Sequence, residues 1–269
     1  MSINVSDLVI KRGGRTIIDT ISFRVDAGEF LAIAGVNGSG KSTVLGGLSG
    51  ELPLAAGTIK IDGVSLFDWP LDALATRRAV LLQDSDLSFP FTVLDVVLMG
   101  RTANNHGVEK PRDIEIAASA LEKTGLAGFE NRRYTNLSGG ERQRVHLSRV
   151  LAQVWPDEAN TQSIDQSTTK YLFLDEPTAS QDLAAQHMVL SCARAFADGG
   201  GVVVSVLHDL NQVAQYADRV LLLSGAQVAA YGVPKAVLTP EVLEPVYGVE
   251  VRVLDDPSMP YPLVVSCRQ

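Results

Sequence analysis

No segment narrows the folds open to this chain more than Gly35-Val36-Asn37-Gly38-Ser39-Gly40-Lys41-Ser42. It follows the apolar run Phe30–Ala34 and precedes the helical pattern Val44–Leu48, the strand-to-helix setting that a G-x-x-x-x-G-K-[ST] loop requires. Glycines there let successive backbone N–H groups curl around a polyphosphate, and the following helix adds the positive end of its dipole. The candidate phosphate-binding set is Gly35, Asn37, Gly38, Ser39, Gly40, Lys41, Ser42 and Thr43. Lys41 is suited to reach the β- and γ-phosphates, and the Ser42 hydroxyl to ligate Mg²⁺.

The other apolar runs are also short and end in glycine or polar turns, as strands buried on both faces of a parallel sheet do. Tyr171–Leu174, Val202–Leu207 and Val220–Leu223 join Phe30–Ala34 in this group. Ser6–Ile10, Thr16–Val25 and Thr58–Ile61 read instead as antiparallel strands joined by glycine-containing turns. Apolar spacing predicts a helix over Ile114–Thr124, ending near Gly125, and another over Glu141–Val154 with Leu147, Val150, Leu151 and Val154 on one face. The expected class is α/β, a nucleotide-binding core with an antiparallel β flank and a helical insertion.

Leu172-Phe173-Leu174-Asp175-Glu176-Pro177 places two carboxylates where a buried strand emerges, the end at which ligands sit in α/β sheets. Asp175 is suited to hold Mg²⁺, directly or through water, and Glu176 to align or deprotonate an attacking water. Neighbours on a strand point in opposite directions, so two roles for two adjacent acids are expected. With a phosphate loop in the same chain, hydrolysis is favoured over binding alone.

Leu137-Ser138-Gly139-Gly140-Glu141-Arg142-Gln143-Arg144 is the most specific segment. Ser138-x-x-Glu141 is a capping box that opens a helix, and its two glycines leave N–H groups open at the positive end of the dipole. Here the chain resembles the ATP-binding-cassette family, whose signature is LSGGQ-like. In the same register, Gln83 after the strand Ala79–Leu82 matches the Q-loop glutamine, and His208 after Leu207 matches the switch histidine. Ala179-Ser180-Gln181-Asp182 matches the D-loop.

The resemblance implies a P-loop NTPase (RecA-like) core within a single cassette domain over residues 1–269. Its expected parts are a β flank and nucleotide core over 1–83, a helical subdomain over about 84–155, core again over 156–232, and a C-terminal extension over 233–269. It also implies a homodimer binding two ATP molecules, each between one copy's phosphate loop and the other's Ser138, Gly139 and Gly140. Catalysis would fall to Glu176, His208, Gln83 and Lys41, and Mg²⁺ to Ser42, Gln83 and Asp175. Two departures stand out. Arg12 occupies the place where the family offers an aromatic ring to adenine, and its guanidinium plane is the expected stacking surface. Gln181 occupies a D-loop position that is more often aliphatic.

Phe89-Pro90-Phe91-Thr92-Val93-Leu94-Asp95-Val96-Val97-Leu98-Met99-Gly100-Arg101 resembles the importers of iron complexes, hemin and vitamin B12, as does the tail from Val246 to Val265. The Leu-Ala-Gln-x-Trp-Pro connection, continuing to Lys170, is similar to the hemin-importer ATPases. That branch implies two copies of a transmembrane permease as partners, an external or periplasmic binding protein acting indirectly, and a place on the cytoplasmic face of the inner membrane. Phe89, Phe91, Val93 and Met99 are candidates for an apolar groove that takes a short permease helix, or for packing within the insertion itself. A ferric siderophore or cobalamin is the alternative cargo, and a soluble non-transport ATPase the remaining alternative.

Composition removes competing classes. With 31 acidic against 23 basic residues and a net charge of -8, the chain is a poor candidate for tracking nucleic-acid backbones. No apolar run approaches the ~18 residues of a spanning helix, and the first residues lack a signal-peptide pattern. A soluble, cytosolic chain is expected. Cys192 and Cys267 alone cannot frame a disulfide scaffold. Four histidines (106, 146, 187 and 208) form no haem-ligand motif, so cargo is expected to be handled by partners. The stretch between Lys41 and Leu137 is too short for the long coiled coil of chromosome-type cassettes, and a single signature argues against the tandem translation type.

Overall fold

Apolar runs without alternation become fully buried strands in the computed structural model, which describes residues 1–83, 87–105, 107–155, 169–179 and 181–267. These residues form two compact units, one made of 1–69 with 196–269 and the other of 70–195.

The first unit opens with β1 (Ser2–Arg12), β2 (Arg15–Asp26), β3 (Phe30–Gly35), α1 (Lys41–Leu48), β4 (Ala56–Ile61) and β5 (Val64–Ser65). Strands β2-β1-β4-β5 make the antiparallel flank in that order. The β1–β2 hairpin turns on Gly13 and Gly14, both at positive φ (54° and 78°), as a tight two-residue turn demands.

The chain then enters the second unit with α2 (Leu71–Arg77), β6 (Arg78–Leu81), α3 (Val93–Leu98), α4 (Thr102–Asn105), α5 (Pro111–Lys123), α6 (Gly139–Gln153) and β7 (Tyr171–Asp175). Helix α7 (Leu183–Asp198) leads back to the first unit. There the chain adds β8 (Val202–Val206), α8 (Leu210–Tyr216), β9 (Arg219–Ser224), β10 (Gln227–Gly232), α9 (Pro234–Val237), α10 (Pro240–Tyr247), β11 (Val251–Leu254) and β12 (Leu263–Ser266).

In the first unit β3 lies between two parallel neighbours, β8 and β9, and β10 pairs antiparallel on β9. Every residue of β3 and β8 is buried, which is why these strands read as unbroken apolar runs. In the second unit β6 and β7 pair in parallel. No helix among the described residues is long and apolar enough to cross a membrane.

Residues read as branch markers turn out to pack the helical region. A Cβ on Gly100 would lie 2.1 Å from the Arg149 carbonyl oxygen of α6. Arg101 is buried beside it, pairing with Asp113 at 2.9 Å and donating to the Ala152 carbonyl at 2.7 Å. Val93 is likewise fully buried, whereas Phe89 is 68% and Met99 38% exposed. Because the obstacle at Gly100 is backbone, Gly100→Ala is expected to destabilise by about 3 kcal/mol, read as a lower urea midpoint with an unchanged slope.

The proposed resemblance in the connection after α6 falls largely on residues 156–168, outside those described. Its start is anchored: Gln153 donates to the Ala75 and Arg78 carbonyls, and the Lys123 ammonium sits 5.0 Å from the Trp155 ring centroid.

Candidate nucleotide site

The phosphate loop runs from the end of β3 into the first turn of α1. Gly35, Gly38 and Gly40 all hold positive φ (142°, 80° and 97°). Gly35 also permits close packing, since a Cβ there would lie 2.4 Å from the Leu223 carbonyl oxygen of β9. Gly40 caps α1 and leaves room for Ile18, whose Cδ1 would meet a Cβ at 2.6 Å. A side chain at Gly35 would therefore press β3 away from β9, and one at Gly40 would displace the Ile18 side chain.

Lys41 is only 6% exposed, with Nζ donating to the Gly35 and Val36 carbonyls at 3.0 and 3.1 Å. These bonds hold the ammonium against the carbonyls at the start of the loop. Asn37 and Ser42 are exposed, and Thr43 is buried in α1. The Ser39 hydroxyl is buried and has no hydrogen-bond partner among the described residues. An orphaned hydroxyl within a curl of positive-φ glycines fits an anionic ligand that supplies the missing acceptor.

Two other candidates lie in the same unit. Arg12 is exposed at the tip of the β1–β2 hairpin, opposite Arg15. His208 follows β8 after one intervening residue, Leu207, and is exposed, and the next residue, Asp209, caps α8 by accepting from the Asn211 N–H at 2.8 Å. One contact escaped the sequence. Burial pushes the Tyr247 phenol of α10 above the ordinary value, and the neighbouring Gly35 backbone opposes that shift.

The second unit carries the acids. Asp175 ends β7 and is 8% exposed. Glu176 does not continue the strand, because its φ is +49°. The alternation rule therefore does not set its direction; a left-handed turn does. That conformation is unfavourable for a residue with a Cβ and costs on the order of 1–3 kcal/mol. One Glu176 carboxylate oxygen accepts from the Gln83 side-chain amide at 3.0 Å. The structure thus brings together two residues 93 positions apart that the sequence named separately.

Helix α6 begins with the anticipated capping box. Ser138 N–H donates to the Glu141 carboxylate at 2.7 Å, and Glu141 N–H donates back to the Ser138 hydroxyl at 3.3 Å. The Ser138 N–H, followed by the Ser138 hydroxyl donating to the same carboxylate oxygen at 2.8 Å, holds the Glu141 carboxyl below its usual range. A Cβ on Gly139 or Gly140 would meet nothing within 4 Å, so packing inside the described chain does not demand glycine there. Glycine keeps the N–H groups at the helix start open to approach.

Gln143 was not singled out in the sequence. It stands one turn before Leu147 on the apolar stripe of α6, and a polar residue on that stripe is the signal that marks it. Its amide donates to the Glu176 and Pro177 carbonyls at 3.3 and 3.0 Å. Of the D-loop, Ser180 lies outside the described residues, while Asp182 accepts from the Ala185 N–H at 2.8 Å.

The family model for ABC transporters matches residues 18–156, and relatives match almost the whole chain. The chain belongs to the ABC transporter family. The hemin import ATP-binding protein HmuV of Gloeobacter violaceus is 47% identical over 95% of this chain and 90% of its own. The HmuV proteins of Deinococcus radiodurans and Pseudomonas aeruginosa are 46% and 44% identical, each over 98% of this chain, and over 97% and 99% of their own lengths. Among solved structures, an inward-facing transporter described as of the metal-chelate ABC type superposes with a TM-score of 0.81 at 27% identity, covering 100% of this chain and 98% of that one. The ADP conformation of the ATP-binding cassette MJ1267, at 23% identity and a TM-score of 0.75 over 91% of this chain and 98% of its own, shares the fold. The cassette is accordingly an α/β ABC ATPase, with ATP hydrolysis coupled to transport as the activity of its family.

Proposed function

We propose that this cassette is the ATP-hydrolysing subunit of an importer that takes up hemin. The observation that carries the catalytic part is Glu176, held in a left-handed turn at the end of β7 with a carboxylate oxygen on the Gln83 amide. In this reading Glu176 accepts a proton from water as the water oxygen attacks the γ-phosphorus and ADP leaves. Gly35, Asn37, Gly38, Ser39, Gly40, Lys41, Ser42 and Thr43 bind the phosphates, Arg12 stacks on adenine, and His208 contacts the γ-phosphate. Ser138, Gly139 and Gly140 serve the ATP of a second copy.

The hard oxygens of Ser42, Asp175 and the Gln83 amide suit Mg²⁺, which when bound would neutralise phosphate charge. The working assembly is then a homodimer with two permease copies, served from outside by a binding protein and lying on the cytoplasmic face of the inner membrane. All 269 residues act as one cassette domain, with a helical subdomain over about 84–155 and a C-terminal extension over 233–269.

Cargo rests on the full-length likeness to hemin import proteins. The structural likeness to a metal-chelate type transporter supports a second reading, with a ferric siderophore or cobalamin in place of hemin. Reconstituted with its permease and binding protein, the complex is expected to speed ATP turnover at least about threefold with hemin and not with the other two cargoes. Stimulation by ferric siderophore or cobalamin alone would transfer the assignment. Recovery of DNA or ribosomes rather than a permease would end the transport reading.

A further inference from the structure

The amide groups of Gln143 and Gln181 form a continuous chain ending on the backbone of the acidic turn. Gln181 Nε2 donates to Gln143 Oε1 at 2.8 Å and to the Pro177 carbonyl at 3.1 Å. Gln143 Nε2 in turn donates to the Pro177 and Glu176 carbonyls. Both N–H bonds and the oxygen of Gln143 are thereby engaged, so its amide has one orientation. The Glu176 carbonyl also receives the Ala179 N–H at 3.1 Å, and Gln186 of α7 donates to the Gln181 carbonyl at 3.0 Å.

The anchored segment is the one with a backbone that resists its own conformation, Glu176 at φ +49°. Such a conformation persists only when its surroundings over-determine it. We propose that Gln143 and Gln181 are positioning residues that hold the Glu176 turn in its left-handed conformation and so link the signature helix and the D-loop to the catalytic carboxylate. The unusual D-loop residue thereby acquires a function: an aliphatic side chain at position 181 would remove the donor that fixes the Gln143 amide. This inference rests on the reading of Glu176 as the base that activates water.

The test compares Gln143→Ala, Gln181→Leu, the double variant and Glu176→Gln, by amide hydrogen exchange over residues 175–179 and by steady-state hydrolysis. Exchange in this segment is expected to rise about tenfold in Gln143→Ala and about threefold in Gln181→Leu. The turnover number should fall by similar factors, with KM for ATP within about twofold. The double variant should be no worse than Gln143→Ala, because both residues act through one chain of bonds. Unchanged exchange in both single variants, or a raised KM at constant turnover, would overturn the proposal. If Glu176→Gln hydrolyses normally, the base assignment fails. If Glu176→Gln is inactive while Gln143→Ala matches the parent in exchange and rate, only the positioning proposal fails.

Discussion

Glu176→Gln is expected to lower ATP turnover by about a thousandfold, within the range that general bases contribute, while nucleotide affinity stays within a few-fold of the parent. The geometry explains why this substitution isolates the chemistry. The bond at Glu176 is accepted from Gln83, and a glutamine oxygen can accept the same bond at the same 3.0 Å. The backbone of residue 176 is held by its own carbonyl through Gln143, which the substitution leaves alone. Shape is kept and proton acceptance is lost. Released phosphate measures the turnover and calorimetric titration with ATP measures the affinity. A second copy should also accumulate in gel filtration with ATP, since bound nucleotide that is not hydrolysed keeps the interface closed. A variant that turns over at the parental rate would remove Glu176 from the role of base.

How much of this was legible in the sequence depends on whether a residue's neighbours are local or distant. The phosphate loop was readable because positive φ at Gly38 and Gly40 and the ensuing helix are local demands written in consecutive residues. The capping box of α6 was readable for the same reason, as both partners lie within one turn. The buried strands followed from unbroken apolar runs. Distant contacts were not readable. Nothing near Gly100 announces that the Arg149 carbonyl approaches it, so packing glycine and branch marker look alike in the sequence. The left-handed conformation of Glu176 is imposed by bonds from Gln143, and strand alternation, the only rule available beforehand, gave the wrong reason for its direction. Tyr247 lies within the tail that resembles the importers of iron complexes, and its place beside the Gly35 backbone depends on how α10 packs.

Lys41→Ala is expected to weaken ATP binding by about a hundredfold or more. A charge-assisted hydrogen bond is worth about 1.5–3 kcal/mol, and the lysine's charge beside the β- and γ-phosphates adds to it. The side chain is already ordered before any ligand arrives: it is 6% exposed, with Nζ fixed by the Gly35 and Val36 carbonyls. Little conformational entropy is therefore lost on binding, and nearly all of the interaction appears as affinity. Lys41→Arg should fare little better, because a planar guanidinium is wider than an ammonium and cannot take the same place between two loop carbonyls. The glycine curvature at residues 35, 38 and 40 survives both substitutions, so the fold and its urea midpoint should change by far less than the affinity. Calorimetric titration of each variant with Mg-ATP gives the comparison. Parental affinity in Lys41→Ala would mean that the loop holds phosphate through its backbone alone, and that the buried lysine serves only to tie Gly35 to α1.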